Sequence, residues 1–117
     1  MKLKVWHIPQ IPGKKYEVDV STLREAKLVL DVLALYDLFQ FENKIKPDYA
    51  NAQGLVEFDP KDDTDGPEGS WSTWYGPEGE EVEDLDLEQC GMIDADYAAA
   101  DYRAWIHEQN RRVNGTR

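Results

Sequence analysis

Between Val20 and Leu23 the apolar period of this chain changes from two to 3.6, and that change restricts the fold more than any other feature. Upstream, Leu3, Val5 and His7 alternate with Lys4 and Trp6, and Tyr16, Val18 and Val20 alternate with Glu17 and Asp19. Both patterns read as strands. Pro9, Pro12 and Gly13 separate them, so a loop joins the two as a hairpin, because proline cannot donate to a sheet ladder. Downstream, Thr22 and Glu25 have the spacing of a capping box, in which the threonine oxygen accepts from a first-turn N–H and the glutamate reaches back. A helix is predicted from Leu23 to Phe39 or Phe41. Leu23, Ala26, Leu30, Leu33 and Tyr36 should face the sheet, with Arg24, Lys27 and Asp31 in solvent.

Leu28, Leu35 and Leu38 fall near the charged side of that helix, where a single sheet cannot reach them. Either another part of the chain covers them or a second copy does, making them the candidate interface of a homodimer. The rest of the chain reads as a loop over 43–51, a short strand over 55–58, a loop over 59–70 and a fourth strand around Trp71, Trp74 and Tyr75. Over 80–88, only Val82, Leu85 and Leu87 offer anchors. A last helix is predicted from about Asp94 to Val113, with Ala98, Tyr102, Trp105, Ile106, Gln109 and Val113 on one face. That face suits Leu28 and Leu35, of this chain or of another copy. The expected fold is α+β, in the order β-β-α-β-β-α, with residues 1–117 forming a single domain.

The net charge of −11 is unevenly placed. Between Glu57 and Glu88 there are 13 acids and one base, Lys61, so this segment carries −12 and the remainder +1. No basic stripe exists for direct nucleic-acid binding. No apolar run approaches the roughly 20 residues of a membrane span, and no secretory leader is visible. The lone Cys90 fits a reducing compartment, so a cytoplasmic location is expected.

The sequence holds little catalytic chemistry. The run from Asp59 to Gly66 superficially resembles a calcium loop, but Lys61 and Ser72 occupy two ligand positions. One cysteine and two distant histidines give no zinc spacing. Acids surround Cys90, which disfavours its thiolate. No phosphate loop or nucleophile elbow is present. No enzyme activity, metal or cofactor is therefore expected. The candidate partner-binding residues are Trp71, Trp74 and Tyr75, with Asp37, Gln40 and Tyr49 as polar and aromatic additions. Tryptophan and tyrosine commonly dominate binding energy, although Trp71 and Trp74 suit the core or edge of a small sheet better than a docking surface. Glu78, Glu80, Glu81, Glu83 and Asp84 would form an acidic rim steering a basic partner.

Four stretches carry a resemblance: the opening from Lys4 to Lys14, the run from Tyr36 to Ala52, the pentapeptide from Gly54 to Phe58, and the tryptophan pair before an acidic stretch. Over roughly residues 1–76 the chain resembles the superinfection exclusion, gene 17 product family of bacteriophage proteins. The resemblance implies a phage accessory protein, made in the bacterial host, that takes part in exclusion or counter-defence. A binder that blocks a host or rival-phage protein fits best with the absence of catalytic motifs. An acidic DNA mimic and a binder of a nucleotide-like signal, using Trp71, Trp74 or Tyr49 with Arg103 or Arg111, are the alternatives.

Overall fold

The computed structural model describes residues 2–46 and 51–115. Four strands form one antiparallel sheet: β1 (Leu3–Ile8), β2 (Tyr16–Val20), β3 (Ala52–Asp59) and β4 (Ser70–Thr73), in the spatial order β2-β1-β3-β4. Helix α1 (Leu23–Glu42) lies on one face, a single 3₁₀ turn spans Val82–Asp84, and helix α2 (Leu87–Gly115) closes the chain. The fold is therefore α+β, in the expected element order with the 3₁₀ turn added before α2.

The period-two alternation of β1 aims Leu3, Val5 and His7 inward, and their partners Leu55 and Gln53 on β3 follow the register Val5–Leu55 and His7–Gln53. Leu23, Ala26 and Leu30 of α1 are fully buried against that face. Further along α1 the buried position is Asp37, seven residues after Leu30, while Tyr36 is exposed. The expected inward Tyr36 is thus one residue off, because the core stripe runs 23, 26, 30, 37. The cap forms, with Glu25 N donating to Thr22 Oγ1 at 3.0 Å, while Glu25 Oε2 reaches back one residue past the cap and accepts from Ser21 N at 3.0 Å.

Helix α2 begins seven residues before the expected Asp94. Its start is a second capping box, with Gln89 N donating to Asp86 Oδ1 at 2.7 Å and Asp86 N to Gln89 Oε1 at 2.9 Å. The first turns of α2 bury Cys90 and half-bury Ile93 against the core. Asp94 then caps the other helix, accepting from Leu23 N at 2.8 Å and Arg24 N at 3.1 Å. Two first-turn N–H groups of α1, which have no intrahelical partner, are satisfied from 71 and 70 residues away. Asp94→Ala should lower the unfolding free energy by about 1–2 kcal/mol, as other lost N-terminal caps do; urea denaturation measures it, and a loss under a few tenths would show that Thr22 caps the helix alone.

Beyond Asp94, α2 leaves the body. The radius of gyration is 18.4 Å and the extents are 70 × 34 × 22 Å, whereas a compact chain of this length has a radius near 13 Å by the usual scaling, roughly. The final face of α2 therefore does not cover Leu28 and Leu35 of its own chain. All three leucines singled out by the helix pattern are exposed, Leu35 to 65%.

Candidate functional site

Strand β4 and the connection from it to α2 hold the aromatic and acidic candidates. Trp74 N donates to Leu55 O at 3.0 Å, just past the end of β4. The chain then turns through Gly76–Gly79, where Gly79 N donates to Gly76 O at 3.0 Å and Gly76 N to Glu80 O at 2.8 Å. Gly79 takes φ +84°, a left-handed value that glycine adopts without strain. Val82 and Leu85 insert into the core, and Lys27 Nζ of α1 donates to Glu83 O at 3.1 Å. The acidic segment after the tryptophans is thus held at both ends and in the middle.

This anchoring divides the acids between two clefts. Glu78, Glu80 and Asp84 line a cleft of about 510 Å³ whose other wall is α2, contributed by Met92, Ile93 and Asp96, with Leu85 between them. Glu81 and Glu83 border a smaller one, about 140 Å³, beside Trp6, Trp74 and Tyr75. The larger cleft combines an apolar floor with four carboxylates, a composition that accepts a basic, partly apolar segment.

The aromatic trio is not one patch. Trp71 and Trp74 are three residues apart, an odd spacing that puts them on opposite faces of an extended chain. Trp74 is 1% exposed and belongs to the core. Its ring is therefore turned away from the surface, in keeping with the core role also weighed for it. Trp71 lies on the uncovered face of the sheet, 5.2 Å from Phe58, with Lys4 Nζ 4.4 Å from its ring centroid and Lys2 Nζ 5.7 Å away. Tyr75 is exposed. The same sheet face carries Trp6 lying across Gly54, where an added Cβ would come within 2.8 Å of the indole. Trp6 and Phe58 were not among the sequence candidates; the alternation that turns Val5 inward also turns Trp6 outward.

Asp37 and its neighbours form a separate buried cluster. Asp37, named as a polar candidate from the sequence, is 2% exposed and faces inward. Its Oδ2 accepts from Asn51 Nδ2 at 2.7 Å and lies 2.6 Å from His7 Nε2, without the alignment of a hydrogen bond. Its Oδ1 is 3.3 Å from Lys46 Nζ. His7 Nδ1 stands 2.9 Å from Gln53 Oε1, and Gln53 in turn donates to Leu30 O at 3.3 Å. Lys46 reaches this position because the chain reverses at the end of α1. Lys44 takes φ 59°, Ile45 N and Lys46 N both donate to Gln40 O, and Lys46 Nζ also donates to Pro9 O. Burial alone would raise the Asp37 pKa. The hydrogen bond from Asn51, the charge of His7 and the contacts of Lys46 outweigh it, and the carboxyl is held below its usual range. Half-buried Gln40 serves this reversal through its carbonyl. Tyr49 lies outside the described residues.

The calcium-like loop and the cysteine lie apart from these clusters. Asp62 accepts from Thr64 N and Oγ1, and Ser70 Oγ ties Asp65 N to Asp62 O, so the loop is closed by its own hydrogen bonds. Burial, followed by the charge of Asp94, pushes the Cys90 thiol above its ordinary pKa. Among the described residues, no three His, Cys, Asp or Glu side chains are grouped to hold a metal.

Comparison with known proteins places this geometry in a family. The model of the family described as superinfection exclusion gene product 17 matches residues 2–90, well over half of the chain. The chain belongs to the superinfection exclusion gene product 17 family. The match runs through all four strands, the acidic segment and the first residues of α2. The family part thus extends past residue 76, the limit read from the sequence, and ends at residue 90, within the first turn of α2. A superinfection exclusion protein of Salmonella phage P22 is 56% identical over 59 residues, which are 50% of this chain and 57% of that protein. The chain spans little more than half the length of this curated relative. No solved structure matches the chain significantly. Among the described residues, no helix is long and apolar enough to cross a membrane.

Proposed function

We propose that this phage-family protein acts in superinfection exclusion, in the cytoplasm of the infected host, by binding and blocking a host or rival-phage protein. The observation that carries the reading is the larger cleft. Glu78, Glu80 and Asp84, on a turn anchored by Val82 and Leu85, and Asp96 of α2 surround apolar Leu85, Met92 and Ile93. Opposed charges at such a rim speed encounter with a basic partner, and the apolar floor slows its release. No step of this function needs a reacting group.

The experiment is an exclusion assay in a host expressing the protein. Glu78→Gln, Glu80→Gln and Asp84→Asn combined should reduce exclusion by at least about tenfold, as expected when steering charges are lost. Thermal unfolding should hardly change, because exposed charges contribute little to stability. Full exclusion by a well-folded triple variant would sink the reading.

A second reading, mimicry of nucleic acid, draws on the same anchoring. Mimicry requires carboxylates held on ordered backbone, and the 76–86 turn holds them so. Under mimicry, duplex DNA displaces the protein from its partner; under simple docking it does not.

A further inference from the structure

The smaller cleft has walls of a different kind from the larger one. Strand β4 pairs only with Val56–Asp59 of β3, and Trp74 N adds one last contact on Leu55 O. The chain then turns away through Gly76–Gly79. The start of β3, from Ala52 to Gly54, therefore has β1 on one side and no strand on the other. A notch of about 140 Å³ remains there. Trp6, lying across Gly54, forms one wall, Trp74 and Tyr75 form another, and Glu81 and Glu83 stand at the rim. Val82, between the two glutamates, is buried in the core and fixes the backbone that carries them.

The geometry points to a second binding site in this notch, for a guanidinium cation that also carries an acceptor oxygen, the chemistry of arginine. It does not rest on the acidic-cleft reading, since it uses none of Glu78, Glu80 and Asp84.

The sign of the ligand's charge follows from what faces the notch. The carboxylates of Glu81 and Glu83 have no hydrogen-bond or ion-pair partner among the described residues. No lysine, arginine or histidine lines the notch, so an anion would meet two carboxylates with nothing to offset them. Two ammonium groups lie nearby and both are occupied. Lys27 Nζ donates to the backbone oxygen of Glu83 and pairs with Asp31, while Lys15 Nζ stands 5.4 Å from the Trp6 ring centroid. The Lys15 contact shows that this ring already attracts a cation. Guanidinium suits the site better than ammonium. It is planar, stacks on aromatic faces, is weakly hydrated and presents several N–H donors to two carboxylates. The volume is that of roughly five waters at about 30 Å³ each, enough for a guanidinium head and part of its stem.

The oxygen follows from Trp74. This residue lines the notch and is 1% exposed, and its indole N–H is buried without an acceptor among the described residues. Buried donors without a partner are uncommon in native proteins. A cation cannot satisfy a donor, whereas a carbonyl or carboxylate oxygen on the same ligand can. That requirement separates arginine from a simple organic cation.

Calorimetric titration of the full chain tests this with four probes: free arginine, N-acetyl-arginine methylamide, the neutral N-acetyl-citrulline methylamide, and agmatine, which has the guanidinium but no oxygen. At least one arginine probe should bind, with the citrulline probe at least about tenfold weaker, as expected when a charged hydrogen bond is lost. Agmatine should be severalfold weaker than the better arginine probe. Tighter binding of free arginine would assign the site to a small molecule, and tighter binding of the blocked form to an arginine within a peptide. Glu81→Gln combined with Glu83→Gln should weaken the arginine probe at least about tenfold. Both positions are exposed, so thermal unfolding should hardly change. Trp74→Phe should weaken the arginine probe severalfold and leave agmatine as it was. Absence of heat from both arginine probes overturns the proposal, as does equal affinity for the citrulline probe or full affinity in the folded double variant. Agmatine binding as tightly as arginine would overturn the role given to the Trp74 N–H. Because Glu81 and Glu83 lie outside the larger cleft, a failure here leaves the exclusion assay of the Glu78, Glu80 and Asp84 variant unaffected.

Discussion

Asp37→Ala should lower the unfolding free energy by about 3–5 kcal/mol, the loss typical when one member of a buried ion pair is removed. The carboxylate is approached by His7, Lys46 and Asn51, and its removal leaves Lys46, at 8% side-chain exposure, without its counter-charge and takes the carboxylate contact from His7 and Asn51. The damage should also spread. Lys46 fastens the reversal after α1, and His7 and Gln53 link β1 and β3 to the same point. Urea denaturation at neutral pH gives the loss, and a value below about 1 kcal/mol would show that desolvation cancels the attraction in this cluster. Acid titration checks the same point independently. Because the folded-state pKa of Asp37 is depressed, its contribution is present above the ordinary carboxylate pKa and fades as pH falls through the folded value. The parent chain should therefore lose stability over that acid range, and Asp37→Ala should show a shallower slope there. An identical slope in both would mean that other carboxylates dominate acid unfolding.

This cluster marks the limit of what the residues reveal in order. Asp37 stood out as a polar residue in a helix core run, but its partners come from positions 7, 46 and 51, and no periodicity connects them. His7 was placed inward by the alternation of β1, which is a local rule; that its ring meets Asp37 depends on how α1 crosses the sheet. Local signals did well where one interaction sets one boundary. Thr22 with Glu25 marked the start of α1, and Asp86 with Gln89 is the same signal at the start of α2, obscured in a segment where acids are everywhere. The apolar face of the last helix was equally legible. Its destination was not, since a helical pattern tells which side needs cover but not where a continuous helix points. The acidic rim was visible as composition, yet its division into two clefts follows from Val82 and Leu85 reaching the core.

Trp74→Ala should cost about 3–5 kcal/mol, as large aromatic truncations in a closed core do, while Trp71→Ala should cost about 1 kcal/mol or little more, in the range of ordinary substitutions outside the core. The two rings are three residues apart and the same in chemistry, so the contrast isolates which face of the sheet is packed. Trp74→Phe sharpens the test. The Trp74 indole N–H is buried without an acceptor among the described residues. Such a donor costs about 1–3 kcal/mol in lost hydration. Phenylalanine discards that donor and keeps most of the ring, so the substitution should be near neutral, within about 1.5 kcal/mol. A Trp74→Phe loss equal to that of alanine would indicate that the N–H has a bound water or another acceptor. The consequence for function runs through packing. Trp74, Val82 and Leu85 belong to one core cluster, and the last two hold the acidic turn against it. Trp74→Ala should therefore speed amide exchange over residues 76–86 and weaken exclusion together, although the ring touches no partner. Trp74→Phe should leave both intact. If alanine at 74 loosened the turn while exclusion stayed whole, the ordered placement of Glu78, Glu80 and Asp84 would be irrelevant to binding, and the acidic cleft would have to be abandoned as the site.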